Sequence, residues 1–187
     1  MQIHFIKKDR RSQLVCTRRD GTSTRAELGP SLPHHDLAHY VVEKKLGLTR
    51  GFYGSIARGH TIAELSDRDT IRTLGAESWL AEIVARALQS LHSGACRLDQ
   101  LDELLKAELG RWSIEVPRIS REDAEAMLRE LQSLLDRYDS LPPGTSFELI
   151  LELGESGSGR AAGVIPGVAI TDTPTPTTCS RLSRTPA

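Results

Sequence analysis

The stretch Pro33-His34-His35-Asp36-Leu37-Ala38-His39-Tyr40-Val41-Val42-Glu43-Lys44-Lys45-Leu46-Gly47 decides how the rest of the chain must be arranged. Proline just ahead of a helix start costs no hydrogen bond, and a glycine behind the last turn stops the helix in a left-handed conformation. The spacing therefore predicts a helix from about His34 or His35 to Leu46. At 3.6 residues per turn, Leu37, Tyr40 and Val41, with Leu48 beyond, fall on one side, and His35, His39, Val42 and Leu46 on nearly the opposite side. A helix apolar on two sides belongs at the centre of a small domain, so His35 and His39 are expected to face another element instead of bulk water.

On the N-terminal side, Ile3 and Phe5, then Leu14 and Cys16, alternate with polar neighbours, and Asp20-Gly21 supplies a hairpin turn. The first 28 residues thus read as a β-meander of three short strands, with the charged link Lys7 to Ser12 left in solvent. On the C-terminal side, the glycine-rich run RGFYGSIARG (Arg50 to Gly59) reads as a turn with a short helix from Tyr53 to Ala57. Three amphipathic helices follow, at about Ala76 to His92, Leu98 to Leu109, and from an N-cap at Ser120 to Leu141, where Pro142-Pro143-Gly144 ends the last. Phe147, Leu149, Leu151 and Leu153 alternate and predict a final strand that rejoins the meander. The expected fold is α+β: a small antiparallel sheet, built from the N-terminal meander plus a C-terminal strand, packed against about four helices in a single domain over residues 1–153. Residues 154–187 are rich in Gly, Ser, Thr and Pro and are expected to form a disordered low-complexity tail.

Composition narrows the function classes. Among 187 residues, 39% are hydrophobic and 26% charged, a globular balance, and only 4% are aromatic, so the core must be mostly aliphatic. The net charge of -1 gives no global field toward nucleic acid, although charge is uneven along the chain. Residues 1–33 carry seven basic and three acidic side chains, and residues 60–141 carry ten basic and sixteen acidic, but no aromatics interleave with the basic ones as a base-stacking surface requires. The longest apolar run, Val164 to Ile170, is broken by Pro166 and Gly167, so no membrane partner is expected. The opening Met1 to Lys8 places its charge after a short apolar stretch, the reverse of a secretory signal. Cys16, Cys96 and Cys179 are odd in number and far apart, with no C-x-x-C, which fits a reducing cytoplasm. A protein partner stays open.

The chemistry-bearing residues lie in the opening helix. Imidazoles at i and i+4 on one helical face hold the geometry for a divalent transition metal, zinc being the first choice. His35 and His39 are the expected ligands, with Asp36 as a further ligand or as a group that orients a histidine. A third ligand must come from elsewhere: His60 with Glu64, another i, i+4 pair, is the first choice, ahead of Glu43 and His34. The same residues carry a second reading, in which His35 and Asp36 satisfy amides and complement the dipole at a helix start and His39 is hydrogen-bonded in the core. The chain is then a non-catalytic protein-interaction module with structural histidines. Other chemistries find less support: the Gly51 to Gly59 run lacks the Lys-Ser/Thr of a phosphate cradle, and no G-x-S-x-G elbow nominates a nucleophile. Cys16, in a strand, reads as a small buried hydrophobe.

His35-Asp36-Leu37-Ala38-His39 resembles the HDxxH motif of the ubiquinone-biosynthesis proteins, in which a Glu follows after eleven further residues. The likeness covers five residues, and this chain has Gly51 at the acidic position, so the family's activity does not carry over. The longer run HHDLAHYVVEKKLGL followed by RGFYG is similar to small bacterial proteins of unassigned function. That resemblance spans about the first third of the chain and implies no mechanism.

Overall fold

The computed structural model describes residues 1–29 and 31–152. Three strands, β1 (Gln2–Ile6), β2 (Ser12–Thr17) and β3 (Ser23–Leu28), form the expected meander. Helix α1 (Leu32–Leu46) follows, then the short α2 (Phe52–Ala57), α3 (Arg68–Thr73), α4 (Ala76–His92), α5 (Leu101–Gly110), α6 (Arg121–Asp139) and a last strand β4 (Ser146–Ile150). The sheet is antiparallel throughout, in the order β3-β2-β1-β4. The fold is α+β.

Register explains the order. Phe5 lies opposite Leu14 on one neighbour and Phe147 on the other, and Ile3 lies opposite Cys16 and Leu149, so the apolar alternation of three strands falls on one face. All six side chains are buried. A one-residue slip of β4 would turn Phe147 and Leu149 out to solvent, which pins the pairing. The amino group of Met1 donates to the Leu151 carbonyl at 2.9 Å, and the Leu151 amide donates back to Met1, so β1 and β4 are fastened at their shared end.

Helix α1 is the axis of the helical layer. Eight consecutive residues, Asp36 to Glu43, are buried, because α1 packs on α4 and α6 while Tyr40 reaches β4 through its hydroxyl, which donates to Ile150 O at 3.2 Å. It starts two residues ahead of expectation, since Leu32 and Pro33 sit in a first turn whose amides have no intrahelical partner in any case. Gly47 closes it with φ 65°.

Two departures from the expected elements have local causes. Helix α3 went unforeseen because one and a half turns are too short for a periodic apolar signal; it is held by its N-cap, Asp67, which accepts from the Asp69 and Thr70 amides. The segment expected as one helix from Leu98 begins as a 3-10 turn, Leu98–Gln100, in which the Gln100 side chain folds back to accept from the Arg97 amide. With α2 and α3 counted, six α-helices stand among the described residues where about four were expected. Ser120 caps α6 as predicted, accepting from the Asp123 amide at 3.0 Å. The tail expected over 154–187, and Cys179 within it, lie outside the described residues. No helix among the described residues is long and apolar enough to cross a membrane.

Candidate metal centre

His35 and His39 stand one turn apart on the face of α1 that meets α4, and α4 runs antiparallel to it. His35, near the start of α1, meets Gln89 in the last third of α4, while Thr49 and Arg50, past its end, donate their amides to the Glu77 carboxylate in the first turn of α4. Between these two fastenings α4 presents Ala81 and Ala85, both fully buried, and small side chains there let the helices approach closely. Glu82 is thereby brought against the two histidines.

Three atoms converge. His39 Nε2 lies 3.2 Å from His35 Nε2 and 3.1 Å from Glu82 Oε2, and His35 Nε2 lies 3.4 Å from the same carboxylate oxygen. The groups behind the rings fix which nitrogen carries hydrogen. His35 Nδ1 donates to Gln89 Oε1 at 2.9 Å, an oxygen that only accepts. His39 Nδ1 is buried without a hydrogen bond, and Glu43 Oε1 at 3.4 Å favours a hydrogen on that nitrogen by charge alone. Both Nε2 lone pairs are left pointing, with a carboxylate oxygen, at one place. Three acceptors at such separations repel unless a cation sits among them, a proton or a metal ion.

The charge balance carries the same message. Burial alone would lower the His39 pKa, but hydrogen bonds to Glu43 and Glu82 and the charges of both carboxylates outweigh it and raise it to about 10. Burial alone would raise Glu82; its hydrogen bonds to His35 and His39, with their charge, hold the carboxyl well below the usual carboxylate range instead. Both shifts favour a proton shared between His39 and Glu82 where no metal is bound.

Glu43 is the best-buried charge of the site, at 0% exposure. Its carboxylate accepts from the Tyr53 amide at 3.2 Å and the Gly54 amide at 2.9 Å. The glycines of RGFYG make room for this arrangement: a Cβ on Gly51 would come within 2.4 Å of the Glu43 carboxyl carbon, and one on Gly54 within 2.4 Å of the Thr49 backbone. The run is a packing turn built around a carboxylate. Phe52, from the same turn, lies 5.6 Å from the His39 ring between centroids and walls one side of the site. His35 and Glu82 keep 27% and 35% of their side chains exposed, against 5% for His39, so the triangle opens to solvent on their side.

Of the residues expected as ligands, the structure brings together His35 and His39 and adds Glu82. Among the described residues this is the one group of three histidine, cysteine or acidic side chains close enough to share an ion. Asp36 lies outside it: buried on α1, it neighbours Tyr53, whose hydroxyl donates to the Asp36 carbonyl, and its charge helps burial push the Cys16 thiol up to about 12. His60 and Glu64 lie outside it as well. Residues 60–63 are not helical and a 3-10 turn begins only at Glu64, so their four-residue spacing does not set them on one face. The Glu64 carboxylate is taken up by the Thr61 amide and hydroxyl at 2.7 and 2.9 Å, and the His60 carbonyl accepts from Arg18. Glu43, weighed as a third ligand, stands behind His39, and His34 turns to Asp139 at 3.1 Å.

In the sequence, Glu82 is masked by the apolar stripe of α4 in which it stands. Its signal is a lone acid between the buried residues Ala81 and Ile83, in a ridge that continues through Ala85 to Gln89. No protein-family model matches this chain, and no match was found among the curated proteins or the solved structures.

Proposed function

We propose that this chain is a divalent-metal-binding protein whose ion is held by His35 Nε2, His39 Nε2 and Glu82 Oε2. One observation carries the reading: the three ligand-type atoms stand 3.1 to 3.4 Å apart, with the His35 ring held from behind by Gln89 so that its Nε2 faces the other two. Ligands of a tetrahedral ion with bonds of about 2.0–2.1 Å are about 3.3–3.4 Å apart, so the triangle needs little adjustment to take zinc. Gln89 supplies the outer hydrogen-bond partner that ligating histidines generally have, for His35, and the Glu43 carboxylate stands 3.4 Å behind His39 Nδ1.

Three protein ligands with an exposed side describe a centre of the catalytic kind, in contrast to the closed four-ligand sites of structural zinc. Zinc held by these residues would lower the pKa of a coordinated water to about 7, which makes hydrolysis the first reaction class to screen. The residues of the chain then divide the work: Glu43 and Gln89 hold the rings in place, Phe52 excludes water from the His39 side, and the open edge between His35 and Glu82 admits substrate.

The competing reading, an interaction module with structural histidines, is favoured by a different feature. Trp79 stacks on Trp112 at 4.5 Å between centroids, and Trp112 is 48% exposed, a large apolar surface for a protein partner. That reading requires a proton to hold the triangle permanently. Elemental mass spectrometry on untagged protein purified without chelator decides between them. About one zinc, iron or manganese per chain, lost in a His35→Ala, His39→Ala double variant, is the expected result. A metal-free wild type that takes up no added zinc would overturn the metal reading.

A further inference from the structure

Helix α2 is six residues long, too short to hold its own shape in water, so its ends must be fixed by other parts of the chain. The first turn is held by Glu43, whose carboxylate accepts from the Tyr53 and Gly54 amides. The last turn is held by Arg18, the residue that follows β2. Arg18 Nε donates to Ile56 O at 2.6 Å, and Nη2 donates to His60 O at 2.7 Å and Gly59 O at 3.2 Å. Nη1 donates to Thr22 Oγ1 at 3.0 Å, so the turn between β2 and β3 aims the guanidinium and all three of its nitrogens are engaged. A carboxylate at one end of α2 and a guanidinium at the other also follow the direction of its peptide dipoles.

This bracket bears on the candidate centre through what α2 carries. Phe52, its first residue, lies 5.6 Å from the His39 ring between centroids, and the carboxylate that its amides grip stands 3.4 Å from His39 Nδ1. His35 is held separately, from α4, by Gln89. The His39 side of the triangle therefore depends on where α2 sits, and Arg18 fixes the end of α2 that Glu43 does not reach.

Resting on the metal reading above, we propose that Arg18 is a positioning residue of the His35–His39–Glu82 centre: by holding the C-terminal end of α2 it keeps Phe52 and Glu43 against His39, and so raises the affinity for the ion without touching it. Three carbonyls and a hydroxyl need the planar fork of an arginine; a lysine brings the charge without the fork.

The test uses the full chain, with zinc affinity measured by competition against a chromophoric chelator for wild type, Arg18→Ala, Glu43→Gln and the double variant. Arg18→Ala is expected to weaken zinc by about tenfold, as loss of a group that orients a ligating histidine does. The loss in the double variant is expected to fall short of the product of the two single losses, because both residues act on His39 through α2. Arg18→Lys should recover part of the affinity, and it replaces Arg18→Ala in the cycle should the latter not fold. Arg25→Ala, which removes an exposed arginine from β3, should change nothing. A merely structural arginine lowers stability without this coupling, so an affinity within twofold of wild type, or losses that multiply in the double variant, would overturn the proposal. A wild type that takes up no zinc would overturn the metal reading instead, and Arg18 is then judged on the metal-free protein by imidazole proton–nitrogen NMR. There Arg18→Ala should move the His39 signals and leave those of His92, which is bonded to Gln132, in place; unmoved His39 signals would overturn the positioning role as well.

Discussion

His35–His39 and His60–Glu64 have the same four-residue spacing of ligand-type side chains, and the chain treats them in opposite ways. The first pair lies on α1, where four residues are one turn, so both rings reach the same face and meet Glu82 from α4. The second lies where the chain turns into a 3-10 segment; Glu64 bends back to cap Thr61, and His60 contributes its carbonyl to Arg18. Spacing acquires chemical meaning only through a helix that repeats at that spacing and a second element that answers it. Burial marks the same contrast, since His39 is buried between two carboxylates whereas Glu64 is exposed.

Removing each pair is the sharpest way to break the comparison. His35→Ala with His39→Ala is expected to abolish stoichiometric metal uptake, whereas His60→Ala with Glu64→Ala should leave it at the wild-type level, as measured by elemental analysis after zinc loading. Equal losses would erase the distinction drawn here. The carboxylate behind His39 comes next. Glu43→Ala leaves the Tyr53 and Gly54 amides buried without an acceptor and His39 without its partner, and should destabilise the metal-free protein by about 3 kcal/mol in urea denaturation. Glu43→Gln retains an acceptor and is expected instead to weaken zinc by about 10- to 100-fold with a smaller change in stability.

Gly51→Ala tests the same carboxylate from the other side. The new methyl group would lie 2.4 Å from the Glu43 carboxyl carbon, and the expected cost is about 2 kcal/mol, against little change for Gly110→Ala, where the space is open. A neutral Gly51→Ala would show that Glu43 does not need the position it occupies.

The smallest expected effect is a slope with pH. The His39 pKa is raised to about 10 from an unfolded value near 6.5, so in the metal-free protein its contribution to stability is complete below about pH 6.5 and disappears as pH climbs toward 10. Glu82, held low, supplies the opposite limb, its contribution being lost as pH falls below the usual carboxylate range. Zinc must displace the His39 proton, so the rise in melting temperature on adding zinc should grow with pH over the same window. A zinc-induced rise that stays constant from pH 6.5 to 9 would contradict the proton-holding triangle.

Much of the fold was legible because its elements are periodic. The alternation of Ile3, Phe5, Leu14 and Cys16 and the stripes of α4 and α6 declare strands and helices within their own residues, and the two-sided α1 announces that something must cover the histidines. The third member of the triangle was not legible by the same means. Glu82 is 43 residues from His39, and its arrival depends on how closely Ala81 and Ala85 let α4 approach, which no local pattern encodes. Nor does a pattern show that Gly51, the position where a motif comparison looks for an acid, is vacant of side chain so that Glu43 can fill the space. Helix α3 escaped for a simpler reason: its one strong local signal is a cap, Asp67, without an apolar stripe behind it.

X-ray absorption at the zinc edge of the loaded protein tests the central claim most directly, because it counts the donors. The account predicts two histidine nitrogens with oxygen completing the shell, at about 2.0–2.1 Å. Sulfur scattering at about 2.3 Å, or a shell without histidine, would contradict it.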